Sequence, residues 1–220
     1  MNKNDNRNYK FALDSAANRE EYAKIIKWIP KGSKVIDLGC GDGSLLALLK
    51  DKGIKGEGIE ISESGVKAAH KKGVKATLGR IDVELPYKDK EFDYAICNVT
   101  LQMVMYPEIL MREMKRIAKY QIISFPNFAF LPNRLDLFFR GRMPQIMIPG
   151  YQWYSTGHIH QLSIKDFEKF CRENGLEIID CGHIFPKMIR ISIFTIPSFI
   201  LKYYPNLFTS TAIFLTEAKK

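Results

Sequence analysis

Three glycines follow a carboxylate in the stretch VIDLGCGDG at positions 35 to 43. Glycine lets the main chain turn sharply and lets a ligand approach the backbone, because no Cβ stands in the way. The spacing is G-x-G-x-G, which departs from the G-x-G-x-x-G fingerprint of dinucleotide-binding loops, and no Gly-Lys-Ser/Thr ending follows as in a P-loop. The loop is therefore predicted to hold a ligand, but its glycines alone do not identify that ligand.

Carboxylates near the loop restrict which ligand it can hold. Asp37 and Asp42 flank the place where a dinucleotide would put its pyrophosphate, so they would oppose that anion and suit a positively charged ligand. S-adenosylmethionine is such a ligand, because it carries a sulfonium and an ammonium and no phosphate. Glu60 ends the second predicted strand and can accept hydrogen bonds from both ribose hydroxyls. Asp82 follows the third predicted strand and can reach an adenine amino group. Each residue alone is compatible with a structural role, but their order predicts an S-adenosylmethionine site.

The elements that must position these residues alternate along the chain. Apolar and β-branched runs predict strands at 33–38, 55–61, 73–79, 92–98 and 121–125, and helical spacing predicts helices at 19–30, 44–50, 62–71 and 107–119. A capping box of Ser163 with Asp166 predicts a further helix, before strands at 176–185 and 206–218. Because parallel strands need a crossover long enough for a helix, the fold class is α/β, with a doubly wound, seven-stranded, mostly parallel sheet.

A long connection follows the fifth predicted strand. Residues 126–162 are rich in aromatic residues and interrupted by prolines, and connections of this length are usually functional or disordered. The aromatic content argues against disorder, so we expect a substrate-side cover within a single domain that spans residues 1–220. Trp153 and Tyr154 either line a substrate pocket or pack over the sheet. Three arginines either bind an acceptor carboxylate or lie on a solvated surface: Arg134, Arg140 and Arg142.

Length and charge restrict the classes of partner. A chain of 220 residues with 46% hydrophobic content can bury a full core, and 33 basic against 24 acidic residues give a net charge of +9. That excess favours anionic partners, but it is dispersed, and the lysines at 67, 71, 72 and 75 are expected on a solvated helix face. A nucleic-acid partner is therefore not expected, and RNA methylation rests on the charge alone.

Four cysteines lack any C-x-x-C spacing, so neither a metal site nor a disulfide framework is predicted. The first ten residues are too polar for a signal peptide, and no apolar run reaches the ~18 residues of a membrane helix. We therefore expect a cytoplasmic protein without a transmembrane segment. The apolar stretch at 191–201 is too short to span a membrane and contains Pro197, so we expect a buried or half-buried helix there.

These residues resemble class I S-adenosylmethionine-dependent methyltransferases, with VIDLGCGDG as the signature loop. Longer blocks, among them NVTLQ, SFPNF, NRLDLFFRGRMP and YQWYSTGHIHQLSIKDFE, resemble the MetW family of methionine-biosynthesis proteins across residues 19–185. The resemblance implies that family members act beside a homoserine O-acyltransferase. It also implies cofactor contacts at Asp37, Gly39, Gly41, Glu60, Asp82 and Asn98, and the predicted cofactor-binding set further includes Cys40 and Ile61.

Methyl transfer from a sulfonium is an in-line displacement, so the protein mainly aligns donor and nucleophile and excludes water. A carboxylate nucleophile needs no base, whereas for a hydroxyl or an amine His158 or His160 could accept the proton. Alternatively, both histidines are hydrogen-bonded loop residues. A metal site is not predicted, because the sequence offers no evident ligands besides these two histidines. The fourth strand is followed by VTLQ instead of the Asn/Asp-Pro-Pro-Tyr/Phe sequence of amino-methylating enzymes, which favours a small-molecule acceptor.

Two hypotheses of different classes remain. The first is a methyltransferase that acts on a small-molecule acceptor. The second is an accessory subunit that binds S-adenosylmethionine and controls a partner such as homoserine O-acyltransferase without methylating anything. The second predicts an exposed apolar surface, for which residues 191–201 are a candidate.

Overall fold

The computed structural model describes residues 19–143, 157–185, 201 and 203–219. They form a seven-stranded sheet of order β3-β2-β1-β4-β5-β7-β6. The strands are β1 Lys34–Leu38, β2 Lys55–Glu60, β3 Lys75–Leu78, β4 Phe92–Asn98, β5 Ala118–Pro126, β6 Leu176–Ile184 and β7 Thr211–Ala218. The helices are α1 Glu20–Trp28, α2 Ser44–Asp51, α3 Glu63–Lys71, α4 Pro107–Ile117, α5 Leu131–Arg140, α6 Ile164–Glu173 and α7 Pro205–Phe208.

The sheet is mostly parallel, as predicted. β1 pairs in parallel with both β2 and β4, and β5 pairs in parallel with β4. β7 runs antiparallel between β5 and β6. The order reverses at β1, and ligands of doubly wound sheets bind beyond the carboxyl ends of the strands at such a switch point.

Helices cover both faces of the sheet because its buried strands carry apolar side chains in alternate directions. In β1, Val35 packs with α1, α2 and α3, whereas Ile36 packs with α4 and α6 on the other face. Ile122 and Ile123 of β5 divide in the same way. The continuous apolar runs seen in the sequence are therefore strands buried on both sides.

Three predicted elements need correction. The helix predicted to 119 ends at Ile117, because β5 begins at the next residue. The strand predicted from 206 begins at Thr211, because Pro205 opens the short helix α7. The connection 126–162 contains α5, which has Pro132 in its first turn and ends at Gly141 with φ +61°.

The predicted capping box is confirmed, since Asp166 N donates to Ser163 Oγ at 3.2 Å and Ser163 N donates to Asp166 Oδ2 at 2.9 Å. Several other predictions lie outside the described residues, namely the first ten residues, Trp153, Tyr154 and all of the apolar stretch except Leu201. Within the described ranges, no helix combines the length and apolar character needed to cross a bilayer.

Candidate functional site

The glycine loop joins β1 to α2 at the carboxyl edge of the sheet. Gly39, Gly41 and Gly43 have φ angles of +84°, +57° and +72°, which glycine adopts without steric cost. A Cβ on Gly39 would lie 2.6 Å from Thr100 Cγ2, so the loop is pressed against the turn that follows β4. Gly39 N and Cys40 N both donate to the carbonyl of Ile59, at 2.8 and 3.1 Å, which ties the loop to β2.

Asp37 and Glu60 lie buried at this loop, each with 2% of its surface exposed. Glu60 accepts hydrogen bonds from Gly41 N and Ser62 N, both at 2.9 Å. Asp37 Oδ1 is buried and accepts no hydrogen bond from any described residue. Burial first and the charge of Glu60 second raise the pKa of Asp37 to about 7, against a smaller lowering effect of Arg19.

A buried carboxylate oxygen without a partner is costly, so Asp37 is poised to accept a hydrogen bond from a cationic donor. The glycine cradle and the Asp37 carboxylate fit the ammonium end of S-adenosylmethionine. Glu60 is already oriented by two backbone donors, and its oxygens have lone pairs for ribose hydroxyls as well. The residues present therefore fit this cofactor.

Asp42 does not add its charge to the site, and this part of the charge argument is wrong. Its carboxylate is paired with Lys72 Nζ and accepts hydrogen bonds from Ser44 Oγ at 2.7 Å and Ser44 N at 3.1 Å. Lys72 Nζ also donates to Ser44 Oγ at 2.6 Å. Asp42 instead anchors the loop to the end of α3.

Asp82 lies beyond β3 and is 5% exposed. Arg80 donates to both of its oxygens at 3.0 Å, and the backbone N–H groups of Met105 and Tyr106 donate to Oδ2. Burial would raise the pKa of Asp82, but the hydrogen bond and charge of Arg80 outweigh it and the pKa is lowered. Asp82 thus organises the segment before α4, and its contact with adenine stays a prediction.

The remaining predicted cofactor residues also lie at this edge. Ile61 is 56% exposed directly after Glu60, whereas Cys40 is buried and packs against Gly58. Burial raises the pKa of the Cys40 thiol, so the side chain stays neutral. Asn98 Oδ1, at the end of β4, accepts a hydrogen bond from Ser124 Oγ at 2.6 Å.

Val99, directly after β4, has a φ of +52°. This backbone conformation costs a β-branched residue about 1–3 kcal/mol and persists only where surrounding contacts enforce it. Val99 N donates to Ser124 O at 3.0 Å and to Ser124 Oγ at 2.9 Å, and Val99 O accepts from Gln102 Nε2 at 2.9 Å. Strained turns of this kind cluster at functional sites.

The two predicted histidines lie beside the same turn. His158 packs edge-on against Phe128, with ring centroids 5.6 Å apart, and burial lowers its pKa. His160 N and Ile159 N donate to the carbonyl of Gln102 at 3.0 and 2.8 Å. The structure therefore brings both histidines next to the post-β4 turn, which contacts the glycine loop.

Sequence reasoning missed Arg19 and Gln102. Arg19 Nη1 donates to Tyr22 Oη at 3.1 Å, and the Arg19 guanidinium lies 4.7 Å from the centre of the Tyr22 ring, close enough to Asp37 to act on its pKa. Gln102 lies within the NVTLQ block, but neither residue was singled out, because each reaches the site only through contacts made in the folded chain. The helical pattern at 19–30 was the one available signal for Arg19.

A cavity lies away from the glycine loop. This cavity of about 440 Å³, between α1 and β6, is lined by Lys24, Cys181 and His183, among others. Cys181 Sγ lies 3.5 Å from His183 Nε2, but burial raises the pKa of the thiol and lowers that of the imidazole. Both groups are therefore neutral, and no cluster of three metal-ligating side chains occurs in the described part of the chain.

Comparison with known proteins identifies related chains. The family model "Methionine biosynthesis protein MetW" matches residues 19–216. The bifunctional methionine biosynthesis protein MetXA/MetW of Rhodopirellula baltica is 36% identical over 145 residues, which cover 60% of this chain and 23% of that protein. A demethylmenaquinone methyltransferase of Listeria monocytogenes is 29% identical over 155 residues, covering 62% of this chain and 65% of that one. The chain thus spans less than two thirds of either relative.

Solved structures share the fold. An S-adenosylmethionine-dependent methyltransferase from Mesorhizobium loti has a TM-score of 0.66 at 18% identity and covers 94% of this chain and 100% of its own. The magnesium protoporphyrin IX methyltransferase of Synechocystis, solved with bound SAH, has a TM-score of 0.64 at 20% identity and covers 90% and 82%. At these identities the likeness extends to the fold alone, which confirms the predicted architecture.

Proposed function

Because the chain belongs to the MetW family, we propose that it binds S-adenosylmethionine at the glycine loop and methylates a small-molecule acceptor. The observation that carries this proposal is the buried Asp37, which stands two residues before the first glycine of the loop and whose Oδ1 has no described partner. When bound, the cofactor supplies an electrophilic methyl group. The acceptor binds beside it, on the side of the described residues 126–143 and 157–162.

In this proposal, Asp37 accepts a hydrogen bond from the ammonium of the cofactor, and Arg19 pairs with the carboxylate of the cofactor. Glu60 accepts hydrogen bonds from the ribose hydroxyls while it keeps those from Gly41 N and Ser62 N. The rest of the proposed cofactor site consists of Gly39, Cys40, Gly41, Ile61, Asp82 and Asn98. The protein then contributes alignment and exclusion of water more than proton chemistry.

Calorimetric titration of the pure protein with S-adenosylmethionine, S-adenosylhomocysteine and NAD tests the proposal. We expect both adenosyl compounds to bind and NAD not to bind. Glu60→Gln preserves the side-chain shape and is expected to weaken adenosyl binding about tenfold, since it removes a charge that accepts hydrogen bonds. Glu57→Gln, on the same strand, is the matched control and should leave the affinity unchanged. Preference for NAD, or no adenosyl binding, would overturn the proposal.

A second candidate is an accessory role, which the Rhodopirellula baltica protein favours because its name joins MetXA and MetW in one chain. In this case the chain binds S-adenosylmethionine and controls a homoserine O-acyltransferase. The exposed apolar residues Phe138 and Phe139 of α5, 81% and 75% exposed, offer a surface for such a partner. Turnover of S-adenosylmethionine by the pure chain with a small acceptor would support the enzyme, whereas a change in acyltransferase activity on mixing would support the accessory role.

A further inference from the structure

The turn after β4 and the segment 157–160 bonded to it contain two buried polar atoms that no described residue satisfies. Gln102 is 0% exposed, and its Nε2 donates to Val99 O at 2.9 Å. That bond settles which end of the amide is oxygen, because the reverse orientation would set two acceptors against each other. Gln102 Oε1 and His160 Nε2 are both buried and accept or donate no hydrogen bond within the described ranges.

These two atoms belong to segments that are joined by backbone hydrogen bonds. The main-chain carbonyl of Gln102 accepts hydrogen bonds from Ile159 N and His160 N. The segment that contains His160 is therefore bonded to the same residue whose side-chain Oε1 has no described partner. Thr100, two positions before Gln102, contacts the glycine loop at Gly39. The arrangement therefore stands next to the proposed cofactor loop, at the edge where an acceptor must approach.

We infer that Gln102 Oε1 and His160 Nε2 bind the reacting group of the methyl acceptor, and that this group is a hydroxyl or an amine. This inference rests on the proposed function. An amide oxygen can only accept a hydrogen bond, so it is satisfied by an O–H or N–H and opposed by a carboxylate, whose oxygens also only accept. An imidazole nitrogen can donate or accept according to its tautomer, so it is compatible with either protic group.

The same contacts suit the proton that such an acceptor must lose. When a hydroxyl or an amine is methylated, its O–H or N–H bond breaks, the electron pair stays on the oxygen or nitrogen, and the proton leaves. His160 Nε2, in the tautomer that leaves this nitrogen without a proton, can accept the proton of the acceptor. His158 is not assigned this role, because its ring packs against Phe128.

Four small probes that share a benzene ring test the inference by binding rather than by turnover. Phenol and aniline donate a hydrogen bond, whereas anisole and benzoate do not. They are titrated by calorimetry into protein loaded with S-adenosylhomocysteine. We expect phenol and aniline to bind at least about tenfold more tightly than anisole and benzoate.

Variants separate the two contacts. Gln102→Met and His160→Phe are each expected to weaken phenol binding about tenfold and to abolish the preference over anisole, with the affinity for S-adenosylhomocysteine unchanged. His160→Gln, which keeps a polar group at that position, should retain part of the preference, and His158→Phe is the matched control that should retain all of it. Thermal unfolding establishes whether each variant is folded. If Gln102→Met does not fold, the inference is tested with His160→Phe alone.

Benzoate binding as tight as phenol binding, or no binding of either protic probe at millimolar concentration, would overturn the inference. So would a preference that survives in both Gln102→Met and His160→Phe, because bound water or another residue would then satisfy these atoms. Failure of S-adenosylhomocysteine itself to bind would instead overturn the proposed function, so the two failures are distinguishable.

Discussion

At the scale of single residues, the proposed contact of Asp37 with the cofactor predicts that binding depends on pH. Its pKa of about 7 comes first from burial and then from the charge of Glu60. A cation binds the ionised carboxylate, so proton and ligand compete below pH 7. We expect calorimetric affinity for S-adenosylmethionine to rise between pH 5.5 and 7.5, by up to about tenfold per pH unit at the acidic end. Asp37→Asn should bind weakly and without this slope, and an unchanged slope in that variant would assign it to another group.

The same carboxyl has the opposite effect on the stability of the ligand-free protein. Between its ordinary pKa of 3.8 and about 7, Asp37 is protonated in the folded state and ionised in the unfolded state. The folded state then binds more protons, so the free energy of unfolding falls as pH rises through this range, by at most about 4 kcal/mol. Urea unfolding at pH 4.5, 6 and 7.5 should show this fall in the wild type and a smaller one in Asp37→Asn.

Gly39 is expected to be needed for its small size as well as for its backbone angle. Gly32 has nearly the same φ, +86° against +84°, but a Cβ there would meet nothing within 4 Å. Gly32→Ala should therefore cost only the left-handed backbone strain, about 1–2 kcal/mol, and leave cofactor affinity intact. Gly39→Ala adds the clash with Thr100 and should lose adenosyl binding by more than about tenfold. Equal effects of the two variants on calorimetric affinity would show that close approach is unimportant.

Single residues were predictable where a motif and a strand end coincide. Asp37 and Glu60 lie where their positions in the strand pattern place them, because parallel strands end at one edge. Asp42 was misjudged, because its partner Lys72 is thirty positions away and no local pattern reveals an ion pair. Gln102 was missed for the same reason, since its contacts come from a segment more than fifty residues later.

At the scale of elements, the pair of Asp42 with Lys72 joins the glycine loop to the C-terminal end of α3. The side chains are 9% and 13% exposed, so removal of one leaves the other as a buried, uncompensated charge. We expect Lys72→Met to lower the free energy of unfolding by about 3–5 kcal/mol. Adding Asp42→Asn to Lys72→Met should restore part of that free energy, because the unpaired charge is then removed.

Lys75 provides the matched control, because it pairs with Glu57 on the surface with a side chain 72% exposed. Lys75→Met should leave the denaturation midpoint nearly unchanged, since exposed ion pairs contribute little. A similar midpoint for Lys72→Met and Lys75→Met would show that the buried pair does not hold the loop.

Helices and strands were predictable where the hydrophobic pattern and the residues that begin or end an element agree. β1 and β4 follow from apolar runs closed by glycine or polar residues, and α6 follows from its capping box. α5 was not predicted, because the prolines of its segment indicated a loop; its apolar residues Leu135, Leu137, Phe138 and Phe139 are all exposed. α7 was missed because a four-residue helix has too few residues to show a period.

At the scale of the whole molecule, the exposed apolar residues of α5 distinguish the two candidate functions. If a homoserine O-acyltransferase binds this helix, Phe138→Ser with Phe139→Ser should abolish the complex in analytical ultracentrifugation, since aromatic side chains dominate binding energy at interfaces. Tyr203→Ser, at a residue that is also 75% exposed, is the control and should leave the complex intact. A complex that survives the double substitution would place the partner elsewhere.

The antiparallel strand β7 also determines the order in which the sheet can be assembled. It lies between β5 and β6 but follows both of them along the chain. During synthesis, β5 therefore waits with one edge unpaired until residues 211–218 have left the ribosome, roughly ten seconds at ordinary translation rates. An open edge of a buried strand is a template for pairing with other chains. The nascent protein therefore exposes an unpaired strand edge to aggregation until β7 pairs with β5.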